Sequence, residues 1–334
     1  MRAIRVHQLT GLNGLRLDTV PSLIPGPGDV RIEVHASGCN FPDTLMIKGQ
    51  YQDKPDVPFS PGKEVAGYIM DVGDGVEGFA PGDRVMALVG HGGFAEEVTC
   101  SAEETHKIPN DLDFATAGGF ALVYATSFIG LHHPQIHLSA GETLLVHGAG
   151  GGVGLTAVEI GKILGATVVA TAGDDEKLAL AKRHGADHVI NYRTENIRDR
   201  VKELVGGVDV VYDPVGGDAF RQSLRCLNID GRIAIIGFAS GDIPQIPANY
   251  LLVKNISVVG IAMHAYRRRK TEPYQDMFPT MMRWWREGKI KPHISARFPL
   301  AQAADALQTL IERRATGKVV VLVRKPGAKF GYSE

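Results

Sequence analysis

The spacing of apolar and polar positions changes character along the chain. Over residues 1–120 the apolar runs are short and broken by Gly and Pro. Val30-Arg31-Ile32-Glu33-Val34-His35 alternates with period two, as a strand with one buried face must. Val65-Ala66-Gly67-Tyr68-Ile69-Met70-Asp71-Val72 and Asp83-Arg84-Val85-Met86-Ala87-Leu88 predict further strands, and Pro25-Gly26-Pro27-Gly28 and Pro81-Gly82-Asp83 are turn signals. A β-rich, barrel-like unit is expected here. From about residue 140 the rhythm becomes strand–helix–strand. Apolar runs at Thr143–Val146, Thr167–Ala170, His188–Ile190, Val208–Tyr212, Arg232–Ile236 and Ile256–Ile261 alternate with segments of helical period, such as Leu155, Val158 and Ile163. Strands separated by about 10–15 residues of helix predict a doubly wound parallel sheet.

Beyond residue 263 two helices are expected, over Glu272–Glu287 and Leu300–Arg314, then a strand at Lys318–Val323. That strand lies too far along for the rhythm of the parallel sheet and is assigned back to the first domain. The expected α/β chain therefore has one domain built from 1–122 and 264–334, with the dinucleotide-type domain, 123–263, inserted into it. A length of 334 residues suits two domains.

Composition narrows the partners. Lys and Arg number 36 against 37 Asp and Glu, so no basic excess points to nucleic acid. Three scattered cysteines, Cys39, Cys100 and Cys226, form no CxxC pair and suit a reducing cytoplasm. The N-terminus has no apolar signal-peptide core. The most apolar stretch, Thr143 to Gly173, carries His147, Glu159 and Lys162 and reads as buried α/β structure rather than a membrane span. Glycine is in excess, at 40 residues.

Some of those glycines have a chemical address. The strand Thr143–Val146 runs into His147-Gly148-Ala149-Gly150-Gly151-Gly152-Val153-Gly154 and then a helix, the context in which a glycine loop holds a pyrophosphate. Small residues let the backbone approach, and the helix N-terminus offers N–H groups to the anion. Ala149 replaces the usual first glycine, ahead of Gly151 and Gly154; Gly152 and Val153 complete the loop. The second strand ends in Ala172-Gly173 without the carboxylate that would bind a free ribose 2′-hydroxyl. Lys177 lies one turn further on and suits a 2′-phosphate, which favours NADPH over NADH. Asp174 and Asp175 argue the other way, although Asp174 reads as the N-cap of the next helix.

The segments Ala36-Ser37-Gly38-Cys39-Asn40-Phe41-Pro42-Asp43, Gly49-Gln50-Tyr51, Pro61-Gly62-Lys63-Glu64-Val65-Ala66-Gly67 and Pro81-Gly82-Asp83-Arg84-Val85 are also informative. With Val189-Ile190-Asn191-Tyr192, Asp213-Pro214-Val215-Gly216-Gly217 and Ile236-Gly237-Phe238, they resemble the medium-chain dehydrogenase/reductase superfamily, in its zinc-free NADPH:quinone oxidoreductase (zeta-crystallin-like) branch. The resemblance implies a GroES-like catalytic domain, a Rossmann domain and a homodimer paired through the strand Ile256–Ile261. Zinc dehydrogenases of the superfamily have a Cys ligand where this chain has Asn40 and a His ligand where it has Lys63. Neither residue suits zinc, so no metal is expected.

Without a Lewis acid, an acceptor that spreads its own negative charge is favoured: a quinone or an α,β-unsaturated carbonyl. The resemblance places Asn40 at the nicotinamide and Tyr51 at the position of a proton donor. It also implies cofactor contacts at Thr126, Tyr192, Gly237 and Phe238. Asn40 is equally the residue type of a turn before Pro42, and Tyr51 equally a pocket-lining ring. The basic run Arg267-Arg268-Arg269-Lys270 is either a solvated loop or a seat for the phosphates of a CoA thioester, which makes enoyl-CoA reduction the alternative activity. A cofactor-binding redox sensor or structural protein without turnover is a second alternative.

Overall fold

The computed structural model describes residues 1–269, 272–325 and 330, without the side chains of His264, Glu272 and Pro273. Lys270, the last of the four basic residues in that run, lies outside the described residues. The chain divides into two compact units, one formed by Met1–Leu122 with Pro292–Glu334 and the other by Val123–Lys291.

In the first unit a seven-stranded sheet runs in the order Ile294–Pro299, Lys318–Leu322, Asp29–Cys39, Glu64–Val72, Arg84–Leu88 and Thr105–Lys107, with Glu97–Ser101 also pairing on Asp29–Cys39. The strand Asp29–Cys39 is long enough for two strands to share one edge. Glu97–Ser101 pairs antiparallel with its first half, and Lys318–Leu322 with its last four residues. The late strand thus returns to this unit and brings Lys318 beside the start of the helix Phe41–Met46. Fully buried Val30, Ile32, Val34, Val65, Val85, Val319 and Val321 form its core. A hairpin of Arg2–Val6 and Leu15–Thr19 adds a separate two-stranded sheet. The sequence pattern does not anticipate this hairpin or the strand Ile294–Pro299, whose residues alternate only between half-buried and exposed.

The second unit holds a six-stranded parallel sheet in the order His188–Asn191, Thr167–Ala172, Thr143–Val146, Val208–Asp213, Leu227–Ile235 and Ser257–Gly260. Strand order reverses beside Thr143–Val146, the switch point at which doubly wound sheets bind ligands. The fold class is therefore α/β, a GroES-like domain with a Rossmann-type domain. Leu145, Val169, Ile190, Val211 and Ile233 are buried between sheet and helices.

The second boundary differs from the sequence expectation: it falls after Lys291 rather than at residue 263. The helix Met277–Arg286 is the cause. Its Trp284 packs against Phe128, with ring centroids 5.7 Å apart, and the Lys291 N–H donates to Glu159 at 2.9 Å. The segment expected as one helix over Glu272–Glu287 is two, Glu272–Gln275 and Met277–Arg286, preceded by a further helix, Met263–Arg269. The helix expected from Leu300 begins as a 3₁₀ turn, Leu300–Gln302, and continues as Ala303–Ile311. Among the described residues no helix is long and apolar enough to cross a membrane.

Candidate active site

The glycine loop is built by steric necessity. Gly148 sits at φ +59°, a left-handed conformation that favours glycine, and a Cβ on Gly154 would lie 2.2 Å from the Gly148 carbonyl oxygen. The buried Ala149 tolerates its methyl group, and its N–H donates to Thr171 O at 2.9 Å, tying the loop to the next strand. The helix Gly152–Ile163 begins at Gly151 with no side-chain cap. The first-turn N–H groups of Gly152, Val153 and Gly154 thus start a helix whose N-cap has no side chain of its own, the arrangement a pyrophosphate requires. Behind the loop, His147 is fully buried, with Nδ1 3.0 Å from Thr171 Oγ1 and Nε2 2.7 Å from Ser223 Oγ. Burial lowers the basicity of this imidazole, which braces the strand ends.

Lys177 and Tyr192 converge on the corner beside this loop. A Cβ on Gly150 would meet Lys177 Cβ at 2.5 Å, so the lysine stem lies over that glycine. A Cβ on Gly173 would come within 2.6 Å of the Tyr192 hydroxyl and 3.2 Å of Arg193 Nε. Asp174 caps the helix Asp175–Arg183 as expected, accepting from Lys177 N at 2.9 Å, and pairs with Lys177 Nζ at 3.0 Å. Hydrogen bonds from Lys177, with the charges of Lys177 and Arg193, hold its carboxyl below the ordinary value, although burial opposes them. Arg193 was not anticipated; a basic residue directly after Tyr192 was the available signal. The corner joins two cations and a phenol to a glycine floor, a donor set that fits a phosphate monoester.

At the switch point Asp213 ends its strand and accepts from Val215 N and Gly216 N, at 2.8 and 2.9 Å. Phe238 lies against Gly216, where a Cβ would meet its ring at 3.2 Å, and Gly237 precedes it. Thr126 is half-buried on the helix Ala121–His132. Arg267 stands on Met263–Arg269 in the same unit, half-buried, with Arg268 and Arg269 exposed.

The first unit contributes a buried polar cluster. Asn40 caps the helix Phe41–Met46, whose Asp43 carboxylate accepts from Asn40 N at 2.8 Å and from Gly62 N at 3.1 Å. The Asn40 amide donates to Gly38 O at 3.2 Å and Glu64 Oε1 at 2.9 Å, while its oxygen accepts from Lys318 Nζ at 2.7 Å. Lys318 also donates to Cys39 O and Glu64 Oε1, each at 2.8 Å, and Glu64 Oε2 accepts from Leu122 N at 2.8 Å. Both Asn40 amide protons are therefore engaged within the unit. The second lone pair of its oxygen is what it can offer a ligand. Lys63, next in sequence to Glu64, serves a different neighbourhood: its Nζ donates to Gly90 O at 2.8 Å and lies 5.0 Å from the Tyr51 ring centroid. Burial, reinforced by Asp53 and Asp43, raises the Tyr51 phenol above its ordinary value and keeps it protonated.

This donor set does not fit zinc. An ammonium stands at one ligand position and a carboxamide already bonded to Lys318 at the other. Among the described residues no three His, Cys, Asp or Glu side chains group closely enough to hold a metal ion.

Comparison with known proteins defines the class. Residues 26–110 match the profile of the alcohol dehydrogenase GroES-like domain, and residues 152–286 that of the zinc-binding dehydrogenases. The chain is 42% identical over 301 residues to a quinone oxidoreductase-like protein 2 homolog of Nematostella vectensis, covering 89% of this chain and 82% of the relative. It superimposes on Escherichia coli quinone oxidoreductase, solved in complex with NADPH, with a TM-score of 0.89, 30% identity, and coverage of 96% of this chain and 100% of the other. A 2-haloacrylate reductase matches at TM-score 0.84 and 32% identity, covering 97% of this chain and 100% of the other. The chain belongs to the medium-chain dehydrogenase/reductase superfamily, in its quinone oxidoreductase branch.

Proposed function

We propose that this chain reduces quinones and other activated α,β-unsaturated carbonyl compounds with NADPH, without zinc. The observation that carries the reading is the combination of the glycine loop with the Lys177–Tyr192–Arg193 corner. The first fits the pyrophosphate, and the second favours the 2′-phosphate that separates NADPH from NADH. When bound, NADPH supplies a hydride. The loop and the helix N-terminus fix its phosphates, while Thr126, Gly237 and Phe238 line the rest of its path. Asn40, held by Lys318, offers its oxygen lone pair to the nicotinamide carboxamide. Tyr51 stays a neutral phenol and delivers a proton to the reduced acceptor.

With no metal to polarise a carbonyl, the acceptor must spread its own charge. NADPH oxidation measured with 1,2- and 1,4-quinones, enals and a saturated ketone tests this. Turnover is expected on the conjugated acceptors alone and is expected to survive a chelator. Binding of NADPH with no oxidation on any acceptor would sink the reading in favour of a redox sensor. Arg268 and Arg269, exposed on the last turn of Met263–Arg269, favour a second substrate class, CoA thioesters of enoic acids. An unchanged KM for an enoyl-CoA in the Arg268→Ala/Arg269→Ala variant removes that reading. The terminal strand Ser257–Gly260, paired among the described residues with Leu227–Ile235 alone, supports a homodimer joined through this edge.

A further inference from the structure

We infer that Glu159 is a positioning residue that couples nucleotide binding at the glycine loop to the two segments through which the chain passes between its units. The inference rests on the NADPH site proposed above and goes beyond it, to a carboxylate that reading leaves idle.

The chain leaves the first unit between Leu122 and Val123 and returns to it between Lys291 and Pro292. The first passage is made inside the helix Ala121–His132, the second in the stretch that follows Met277–Arg286. Glu159 meets both. Its Oε2 accepts from Tyr124 Oη at 2.5 Å, two residues past the first passage. Its Oε1 accepts from Lys291 N at 2.9 Å, the last residue before the second. His184 Nδ1 lies 2.7 Å from the same oxygen. Glu159 is only 4% exposed, and a carboxylate so buried is tolerated where donors surround it. Burial, and then the charge of Glu159, raises the Tyr124 phenol well above its ordinary value, so it remains the donor.

Glu159 stands on the helix Gly152–Ile163, whose first turn faces the pyrophosphate in the functional reading. Gly152, Thr156 and Glu159 are spaced by four and three residues and so share one face of that helix. Thr156 Oγ1 lies 3.1 Å from Val123 O, within hydrogen-bonding reach of the first passage. One helix face thus carries the anion seat at its end and, one and two turns further on, holds on both passages. Local opening of residues 288–291 breaks the bond from Lys291 N and releases the helix at Glu159. An anion that fixes the first turn favours the closed form, and by linkage the closed form binds the nucleotide more tightly. Asn40 and Tyr51 belong to the other unit, and the two passages are the covalent routes by which occupancy of the loop reaches them.

Hydrogen–deuterium exchange of the full-length protein, read by mass spectrometry with and without saturating NADPH, tests this at residues 288–291, where no nucleotide contact is proposed. In the unaltered protein NADPH is expected to slow exchange there at least about fivefold, the lower end of ordinary coupling between two sites. Two variants break the bond in different ways. Glu159→Met removes both oxygens, and Glu159→Asp keeps the charge but draws it back by one methylene from Lys291 N. In each the slowing is expected to vanish. By reciprocity NADPH binding is expected to weaken by the same factor, although its own seat is unaltered. Exchange at 288–291 that NADPH leaves unchanged in the unaltered protein overturns the inference whether or not the variants fold. So does either folded variant that keeps the slowing. Failure of the functional reading shows separately, as NADPH that slows the segment but is oxidised by no acceptor.

Discussion

The Lys318 ammonium lies 2.8 Å from Glu64 Oε1, although 254 residues separate the two in sequence. The same ammonium donates to the Asn40 oxygen, so one side chain from the late strand fixes both the buried carboxylate and the helix cap of the candidate active site. Removing one partner of a buried pair leaves the other charge without compensation, which costs about 3–5 kcal/mol. Lys318→Met and Glu64→Met should each lower the urea midpoint strongly, while Lys318→Met/Glu64→Met should be more stable than Lys318→Met alone. The double variant should nonetheless lose quinone turnover, because Asn40 loses its anchor. A coupling near zero in this cycle would show that the pair is not a unit.

The Lys177 corner makes a prediction about cofactor choice. A hydrogen bond to a charged group contributes about 1.5–3 kcal/mol, so Lys177→Met should weaken NADPH binding by roughly 10- to 100-fold while leaving NADH within about threefold. Gly150→Ala probes the same corner from beneath. Its methyl would meet the Lys177 stem at 2.5 Å and push the lysine aside without touching the anchor of the loop. Gly154→Ala instead strikes the Gly148 carbonyl at 2.2 Å and should weaken both nucleotides alike. Fluorescence titrations with NADPH and NADH separate the cases. Equal losses for both nucleotides in Lys177→Met would remove the lysine from the 2′-phosphate site.

What the sequence made legible follows from how local each feature is. The glycine loop could be read because strand, loop and helix are contiguous, and Asp174 could be read as a cap because its partner is three residues away. Lys318 could not be found, since Cys39 and Asn40 lie 279 and 278 residues from it and only the pairing of Val319 with Cys39 brings them together. The boundary expected at residue 263 differs from the division after Lys291 for a related reason. Nothing local to Met277–Arg286 says which unit its apolar face will cover, and that is decided by Trp284 meeting Phe128. Arg193 was overlooked because it is an ordinary basic residue until Gly173 leaves room for it.

The exposed end of the parallel sheet bears on oligomeric state. The helix Ala248–Lys254 has no buried residue, and Leu252 and Val253 are 80% and 81% exposed just before the edge strand Ser257–Gly260. Adjacent apolar side chains beside an edge that has no second strand partner among the described residues mark an association surface. Sedimentation should show a dimer for the unaltered chain and a monomer for Leu252→Asp/Val253→Asp, with the thermal midpoint reduced and made independent of concentration. A monomeric unaltered chain would exclude this use of the edge.

Asp43 should make stability depend on pH in the unusual direction. Its carboxyl is fully buried, and burial outweighs both its backbone hydrogen bonds and the charges of Lys63 and Lys318, raising its pKa from 3.8 to about 6. The folded state thus holds this proton more tightly than the unfolded chain. Between about pH 4 and pH 6 the unfolded state ionises first, so the contribution of Asp43 to stability falls as pH rises, by about 3 kcal/mol in all. Asp43→Asn cannot ionise, and its single carboxamide oxygen must serve the N–H groups of both Asn40 and Gly62. The variant should be clearly less stable than the unaltered protein at pH 4, and the gap should narrow by pH 7. Urea unfolding of the two proteins at both pH values measures that difference, in which all other titrating groups cancel. A gap that is the same at pH 4 and pH 7 would mean that Asp43 ionises in the folded protein as it does in the unfolded chain.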